Sequence, residues 1–257
     1  INKNYTIQKE TSYPLHVRGA AIWHKQFYTQ VVQTGVTAMT RGFVYNARRY
    51  KSISESIRYT KQITSAADIA LTSNEVSFKH PCYHVRKSLK FCSPKSFFKL
   101  LTESGFDIIE LTGNHNNDYG TNLNLRTIDL YLKNKMKYFG GGKNNSDAEK
   151  ILYVTNKTTR FAFMGYNELG PKIAWATKTK PGAAKLNKKV LPSMIKKAKE
   201  NSNIVIFTLQ SNNENNPTPW KSQRKLFQSC IDHGATIVVS SSAHKAMGFE
   251  FHKGKMI

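Results

Sequence analysis

The segment Asp107–Gly120, with the sequence DIIELTGNHNNDYG, joins an apolar run to a cluster of polar side chains. The run Asp107–Leu111 predicts a strand. Gly113 permits a tight turn directly after it. Asn114 then offers a hard carbonyl oxygen and His115 an imidazole, which suit metal binding or general acid catalysis. The segment therefore predicts a strand whose carboxyl end carries a functional site.

Short apolar runs alternate with amphipathic stretches on both sides of this segment. The predicted strands are Thr29–Val36, Asp68–Thr72, Asp107–Leu111, Arg160–Tyr166, Asn203–Leu209 and Ala235–Ser240. The predicted helices are Ile53–Ala66, Pro94–Ser104, Asn122–Lys133, Lys188–Asn201 and Trp220–His233. Such alternation predicts an α/β fold, with mostly parallel sheets flanked by helices. The 257 residues favour one large domain over residues 29–257, preceded by an N-terminal extension or linker over residues 1–28.

Polar clusters follow four of the predicted strands. They are Ser73-Asn74-Glu75, Gly113-Asn114-His115, the stretch from Gln210 to Glu214 and the stretch from Ser240 to His244. Because ligands bind beyond the carboxyl ends of parallel strands, we expect these clusters to share one crevice.

The charge of the chain is its strongest compositional feature. There are 39 Lys and Arg residues against 16 Asp and Glu residues, which gives a formal net charge of +23. Such a field attracts polyanions, among them nucleic acid, anionic lipid, teichoic acid and polyglutamate. The alternative is a solvated, lysine-rich surface with no specific partner. No nucleic-acid module is recognisable, so no specific nucleic-acid partner is expected.

The cysteines, glycines and remaining acidic residues favour structural roles. The three cysteines favour free thiols because their number is odd, with a Cys82–Cys92 bridge as the alternative. The triplet Gly140–Gly142 is interpreted as a flexible turn, and Glu110 as facing solvent or capping its strand. Asp118 fits a metal ligand or a helix cap equally well.

Targeting signals are absent from this sequence. No apolar run approaches the roughly 18 residues of a membrane helix, and no signal peptide is present. The chain begins with Ile1, which indicates a fragment of a longer protein. These absences therefore do not describe the full-length protein.

Five groups of residues follow one another along residues 30–257. They are Gly35, Val36 and Arg41; Ala67-Asp68 with Ser73-Asn74-Glu75; Asn114, His115, Asp118, Tyr119 and Gly120; Gln210, Glu214, Pro219 and Gln223; and Ser240, His244 and Glu250. This order resembles the CapA-type proteins tied to poly-γ-glutamate capsule synthesis, a branch of the calcineurin-like metallophosphatases. The resemblance implies a metallophosphatase-like layered fold.

The resemblance also implies roles for individual residues. It implies His115 as the catalytic residue, Glu75, Asn114, Glu214 and His244 as metal ligands, and Arg41, Asn74 and Gln210 as substrate- or anion-binding residues. Two positions depart from the family, whose relatives carry a metal-binding Asp at Val36 and a metal-binding His at Gln210. Because both departures weaken a two-metal site, we expect one divalent ion (Mn, Zn or Fe) rather than two. Val36 is also expected to be buried.

Three functions are consistent with these residues. The first is a CapA-type role in capsule or polyglutamate synthesis or export, with an anionic polymer and membrane-bound capsule-synthesis proteins as partners. The resemblance then implies an extracytoplasmic or cell-surface location, with a membrane anchor in the full-length protein. The second function is a metal-dependent hydrolase of phosphate or amide bonds, with His115 as proton donor. The third is a pseudo-enzyme that binds an anionic polymer without turnover.

Overall fold

A computed structural model describes residues 28–49, 53–83, 88–211 and 216–257 of the chain. The predicted N-terminal extension, residues 1–28, lies outside the described residues except for its last position. The predicted boundary between this extension and the domain therefore stays a prediction.

Fourteen strands and seven α-helices occur in the described residues. The strands are β1 (Val31–Val36), β2 (Ile69–Ser73), β3 (Phe78–Lys79), β4 (Ser93–Pro94), β5 (Ile108–Glu110), β6 (Lys137–Phe139), β7 (Gly141–Gly142), β8 (Leu152–Asn156), β9 (Thr159–Asn167), β10 (Gly182–Ala183), β11 (Ile204–Gln210), β12 (Ile237–Ser241), β13 (Phe251–His252) and β14 (Lys255–Met256). The α-helices are α1 (Gly42–Arg49), α2 (Lys61–Ala66), α3 (Phe98–Glu103), α4 (Thr121–Lys133), α5 (Asn145–Ala148), α6 (Leu191–Glu200) and α7 (Lys221–Asp232).

These strands form two main sheets. The first is parallel, with the order β1-β2-β5-β6. The second has six strands in the order β13-β14-β12-β11-β9-β8, and its central strands β9, β11 and β12 are parallel. The pairs β3-β4 and β7-β10 form two small additional sheets.

Alternation along the strands places apolar side chains on both faces of each main sheet. In β2, Ile69 and Leu71 contribute to a core shared with Phe163 and Ile206 of the second sheet. The intervening Ala70 belongs to a different core, which the first sheet shares with α1, α3 and α4. A third core lies between the second sheet and the helices α6 and α7. Because successive side chains in a strand point to opposite faces, the two sheets pack against each other and helices cover their outer faces.

The predicted α/β fold with mostly parallel sheets flanked by helices is confirmed. Each of the six predicted strands is present, and α4, α6 and α7 lie where helices were expected. The predicted helix Pro94–Ser104 begins with a 3-10 turn and continues as α3. The predicted helix Ile53–Ala66 is a 3-10 turn, Ser54–Ile57, followed by α2. The prediction missed α1, α5, the edge strands β6 and β8, and the two-residue strands β3, β4, β7, β10, β13 and β14, all of which are short or only partly apolar.

The expectation of free thiols is wrong for two of the three cysteines. Cys82 and Cys92 form a disulfide, and Cys230 is a buried free thiol. The parallel pairing of β3 with β4 brings the two ends of the intervening segment together, which places these cysteines side by side. Burial raises the pKa of the Cys230 thiol to about 12.

The expectation of a flexible glycine turn at Gly140–Gly142 is also wrong. Gly141 and Gly142 form β7, which pairs with β10 in the interior. A Cβ atom on Gly141 would lie 2.5 Å from the carbonyl oxygen of Leu111, so no larger residue fits there. The triplet is thus tightly packed against neighbouring backbone, with β7 paired to β10.

The described helices include none that is both long enough and apolar enough to cross a membrane.

Candidate functional site

A cavity of about 1140 Å³ opens at the carboxyl ends of β1, β2, β5, β11 and β12, and it is called the Gln210 cavity below. Strands of both main sheets end at this edge, so side chains from distant parts of the chain meet there. Val36 lines the cavity and is 39% exposed, which corrects the expectation of a buried valine. Six of the predicted site residues also line it, namely Arg41, Glu75, Asn114, His115, Gln210 and His244.

Two predicted site residues are not placed in this cavity. Asn74 is completely buried, and its amide group donates to the Val76 carbonyl oxygen and to the Tyr131 hydroxyl. These contacts connect β2 to α4, which is a structural role. Glu214, a predicted metal ligand, lies outside the described residues.

Gln210 joins the residues at the centre of the site. Its side chain is buried, and its Nε2 donates to Glu75 Oε2 at 3.1 Å and to Asn114 Oδ1 at 3.0 Å. One amide group thus holds together two residues that follow different strands of the first sheet. The second sheet, which carries Gln210, is thereby connected to the first.

The orientation of the Gln210 amide is set by Asn167, which lies at the end of β9. Asn167 Nδ2 donates to Gln210 Oε1 at 2.8 Å and to the Thr112 carbonyl oxygen at 2.7 Å. Asn167 Oδ1 accepts from the Gly170 backbone N–H and from the Trp175 indole N–H, both at 2.8 Å. Asn167 therefore uses all four of its hydrogen-bonding positions.

These contacts decide whether Glu75 and Asn114, as arranged, fit the expected divalent ion. No group of three His, Cys, Asp or Glu side chains close enough to hold a metal ion occurs in the described part of the chain. Glu75 and Asn114 are suitable ligand types, but the oxygens that would bind a cation accept hydrogen bonds from Gln210. As arranged, these residues do not fit a cation coordinated by both oxygens, because an N–H donor stands between them.

His115 is held by a carboxylate on its inner side. Its Nδ1 lies 2.8 Å from Asp118 Oδ2, which also accepts from the Phe91 backbone N–H at 2.7 Å. The Phe91 ring packs on the imidazole at a centroid distance of 4.5 Å, and the Arg41 guanidinium group lies 5.2 Å from the centroid of the same ring. The carboxylate orients the imidazole so that Nδ1 faces the protein and Nε2 is left for the cavity.

Asp118 therefore does not cap the following helix. The residue at the N-cap of α4 is Gly120, which has no side-chain cap. The carboxylate instead turns back toward His115, three residues earlier, and toward the loop that carries Phe91.

Burial controls the ionisation of the two acidic residues nearest the centre. Desolvation raises the pKa of Glu75, and the His115 and His244 imidazoles and the Gln210 hydrogen bond oppose this shift. Glu110 is buried, which corrects the expectation that it faces solvent. Desolvation raises the pKa of Glu110 as well. The Thr112 hydroxyl donates to the Glu110 carboxyl group within the protein interior.

Sequence reasoning missed Asn167, Trp175 and Phe91 as residues that shape the site. None of them has a charged or nucleophilic side chain. Asn167 and Phe91 contact site residues far away in the sequence, and Trp175 acts on the site only through Asn167. The only available signal was the polar Asn167 at the end of a long apolar strand, β9.

A family model for the bacterial capsule synthesis protein PGA_cap matches residues 15–257. The chain belongs to this family. The resemblance to CapA-type proteins deduced from the five residue groups is thereby confirmed.

The curated relatives of this PGA_cap family member include two Bacillus proteins. The chain is 29% identical over 175 residues to the capsule biosynthesis protein CapA of Bacillus anthracis, covering 66% of this chain and 43% of the relative. It is 25% identical over 218 residues to the PGA biosynthesis protein CapA of Bacillus subtilis (strain 168), covering 84% of this chain and 57% of the relative. The chain thus spans about half the length of the curated relatives it matches.

Two solved structures from Thermus thermophilus are similar to this PGA_cap chain. A hypothetical protein aligns with a TM-score of 0.48 at 14% identity, covering 84% of this chain and 68% of the other. The protein TT1561 aligns with a TM-score of 0.47 at 12% identity, covering 89% of this chain and 88% of the other.

Proposed function

We propose that this domain acts in capsule biosynthesis by binding an acidic polymer of the poly-γ-glutamate type. Family membership supports the capsule role, and the distribution of cations on the domain supports the polymer. The observation that carries the polymer assignment is a groove on the outer side of α4. The groove is separate from the Gln210 cavity.

This groove, called the α4 groove, has a volume of about 660 Å³. Its cationic lining residues are Lys79, Lys95, Arg126 and Lys133, with His80 beside them. Arg126 and Lys133 are seven residues apart, so they lie on one face of α4 about 10 Å apart along its axis. The groove therefore presents positive charges along a line rather than at a point.

The cations of the α4 groove lack acidic partners in the described structure. Asp129 is the only acidic residue among those described that line the groove, and it is already paired with Lys143 at 2.7 Å. Among the described residues, no carboxylate forms an ion pair with Lys95, Arg126 or Lys133. Cations that border one groove and take part in no ion pair favour binding of an extended polyanion.

In the Gln210 cavity, Arg41 offers a second positively charged contact for the anionic polymer. This side chain lines the cavity and stacks on Phe91, which also packs on His115. A stacked guanidinium group is held in place and suits recognition of a carboxylate. The loop His115–Tyr119 connects the two regions, because His115 lines the cavity and Tyr119 lines the α4 groove.

A cell-envelope location follows from this proposal. The two Bacillus relatives are named for capsule and PGA biosynthesis. A capsule lies outside the cell membrane, so an extracytoplasmic domain attached to the membrane by another part of the full-length protein fits this role.

A second candidate function is hydrolysis of the bound polymer. The Asp118–His115 pair favours it, because an imidazole oriented by a carboxylate can transfer a proton at Nε2. Release of glutamate oligomers from the polymer, lost in His115→Gln, would support this function. Intact polymer after prolonged incubation would leave binding as the proposed role.

Binding of fluorescent poly-γ-glutamate at low ionic strength tests the polymer assignment. The variant Arg126→Gln/Lys133→Gln should bind about fivefold more weakly, which corresponds to about 1 kcal/mol. The matched control is Lys196→Gln/Lys197→Gln, which removes the same charge from exposed positions of α6. The control should change the affinity less than twofold, because these two lysines do not line the α4 groove.

Two results would contradict the proposal. Equal losses in both double variants would show that only total charge matters. Failure of the wild-type domain to bind the polymer at low salt would remove poly-γ-glutamate as the partner.

A further inference from the structure

We propose that the central site works without a divalent cation, because the Gln210 amide occupies the position between Glu75 and Asn114. This inference concerns the Gln210 cavity alone and does not rest on polymer binding. It rests on the donors and acceptors in the series of hydrogen bonds that connects Trp175 to Glu75 through Asn167 and Gln210.

The chain of hydrogen bonds starts from two groups that can only donate. The Trp175 indole N–H and the Gly170 backbone N–H both point at one atom of the Asn167 amide, which must therefore be its oxygen. The other atom is then Nδ2, which donates one hydrogen to the Thr112 carbonyl and one to Gln210. The partner atom on Gln210 must accept, so it is Oε1.

The position of Oε1 fixes Nε2 on the opposite side of the Gln210 amide. Both Nε2 hydrogens are used, one toward Glu75 Oε2 and one toward Asn114 Oδ1. Turning the amide over would break these two bonds and the bond from Asn167. The reversed amide would also leave buried polar atoms unpaired, which costs more than the loss of the bonds themselves. The orientation is therefore strongly determined.

This arrangement gives the amide the role that a cation would otherwise have. A divalent ion would hold the Glu75 and Asn114 oxygens together by accepting their lone pairs. Here two N–H groups satisfy the same lone pairs, and the amide cannot offer its oxygen in exchange. The structure assigns Gln210, Asn167 and Trp175 as positioning residues of a protein-only site.

The decisive experiment measures metal binding by the wild-type domain and by Gln210→Glu. This substitution keeps the shape of the side chain and replaces the N–H donor with an oxygen facing Glu75 and Asn114. The wild-type domain should contain no bound Mn²⁺ or Zn²⁺ after dialysis, and its melting temperature should be the same in chelator and in either metal. The variant should melt below the wild type in chelator and recover with added Mn²⁺ or Zn²⁺.

Gln62→Glu is the matched control, because it adds the same charge at an exposed position of α2. It should behave as the wild type with and without metal. Stoichiometric metal in the wild-type domain, with a matching rise in melting temperature, would overturn the inference. Failure of folded Gln210→Glu to gain metal would also overturn it, because the amide would then not stand in a cation's position. If Gln210→Glu does not fold, the wild-type measurement decides the question by itself.

Discussion

At the residue scale, Glu110 shows how the interior changes the chemistry of a side chain. The residue is 3% exposed, and its carboxyl group accepts a hydrogen bond from the Thr112 hydroxyl. Desolvation raises its pKa above the ordinary value of 4.5, and the nearby carboxyl group of Glu75 adds to the shift. The folded state therefore holds a proton that the unfolded chain releases more readily.

We predict that Glu110 makes folding stability depend on pH. Because its folded pKa is raised, its contribution is fully present below pH 4.5 and is lost as the pH rises toward the folded pKa. In this window the loss amounts to about 1.4 kcal/mol per pH unit. The Gln side chain of Glu110→Gln cannot lose a proton. The free energy of unfolding of this variant should therefore increase relative to that of the wild type as the pH rises.

Urea unfolding of both proteins between about pH 4.5 and about pH 7.5 measures this difference. Glu149→Gln, at an exposed position, serves as the control and should follow the wild type. A constant difference between Glu110→Gln and the wild type across this range would mean that Glu110 titrates as an ordinary carboxyl group.

At the element scale, the short strands β7 and β10 lie where the backbone passes between the two main sheets and α5. The Gly142 Cα approaches the Ala148 backbone so closely that a Cβ would lie 2.5 Å from its nitrogen. Gly141 is equally close to Leu111, which precedes the turn leading to Asn114. The packing of β7 therefore supports the segment that carries two of the candidate site residues.

Gly141→Ala should destabilise the domain by about 1–3 kcal/mol, because the added methyl group forces the backbone of β7 away from Leu111. The comparison is Gly248→Ala, where a Cβ would meet no atom within 4 Å. Thermal or denaturant unfolding should show a loss for Gly141→Ala and little change for Gly248→Ala. Equal stability of the two variants would show that β7 can move aside at little cost.

At the scale of the whole molecule, the net charge of +23 opposes compactness as well as attracting polyanions. The described ion pairs are few, and most lie at the surface, where each contributes at most about 1 kcal/mol. Repulsion among lysines therefore remains largely uncompensated within the domain. An acidic polymer would relieve this repulsion on binding.

The melting temperature should rise by a few degrees between about 20 mM and about 200 mM NaCl, because the shorter Debye length screens this repulsion. Sucrose at matched osmolality controls for general solvent effects. Poly-γ-glutamate at low salt should produce a similar rise at a much lower concentration. A melting temperature that is independent of salt would show that the lysines are too far apart to repel one another.

The amino-acid sequence by itself determined the elements and the edge at which the site forms. Apolar runs such as Asp107–Leu111 alternate with amphipathic stretches, and this local periodicity is what strands and helices require. Since the carboxyl ends of parallel strands in one sheet share an edge, the positions of Glu75 and Asn114 after their strands were sufficient to predict that they line one cavity. Gln210 ends a strand of the second sheet, so its place beside them depends on the packing of the two sheets.

Only the tertiary structure decided the contacts between residues that are far apart in sequence. The Cys82–Cys92 disulfide depends on the pairing of β3 with β4, and the buried state of Glu110 depends on the second sheet covering the first. The orientation of Gln210 depends on Trp175 and Asn167, and the sequence signals only that Asn167 is a polar residue at the end of an apolar strand. Hydrogen bonds are directional and burial is collective, so which oxygen faces which nitrogen is settled only when both sheets have packed.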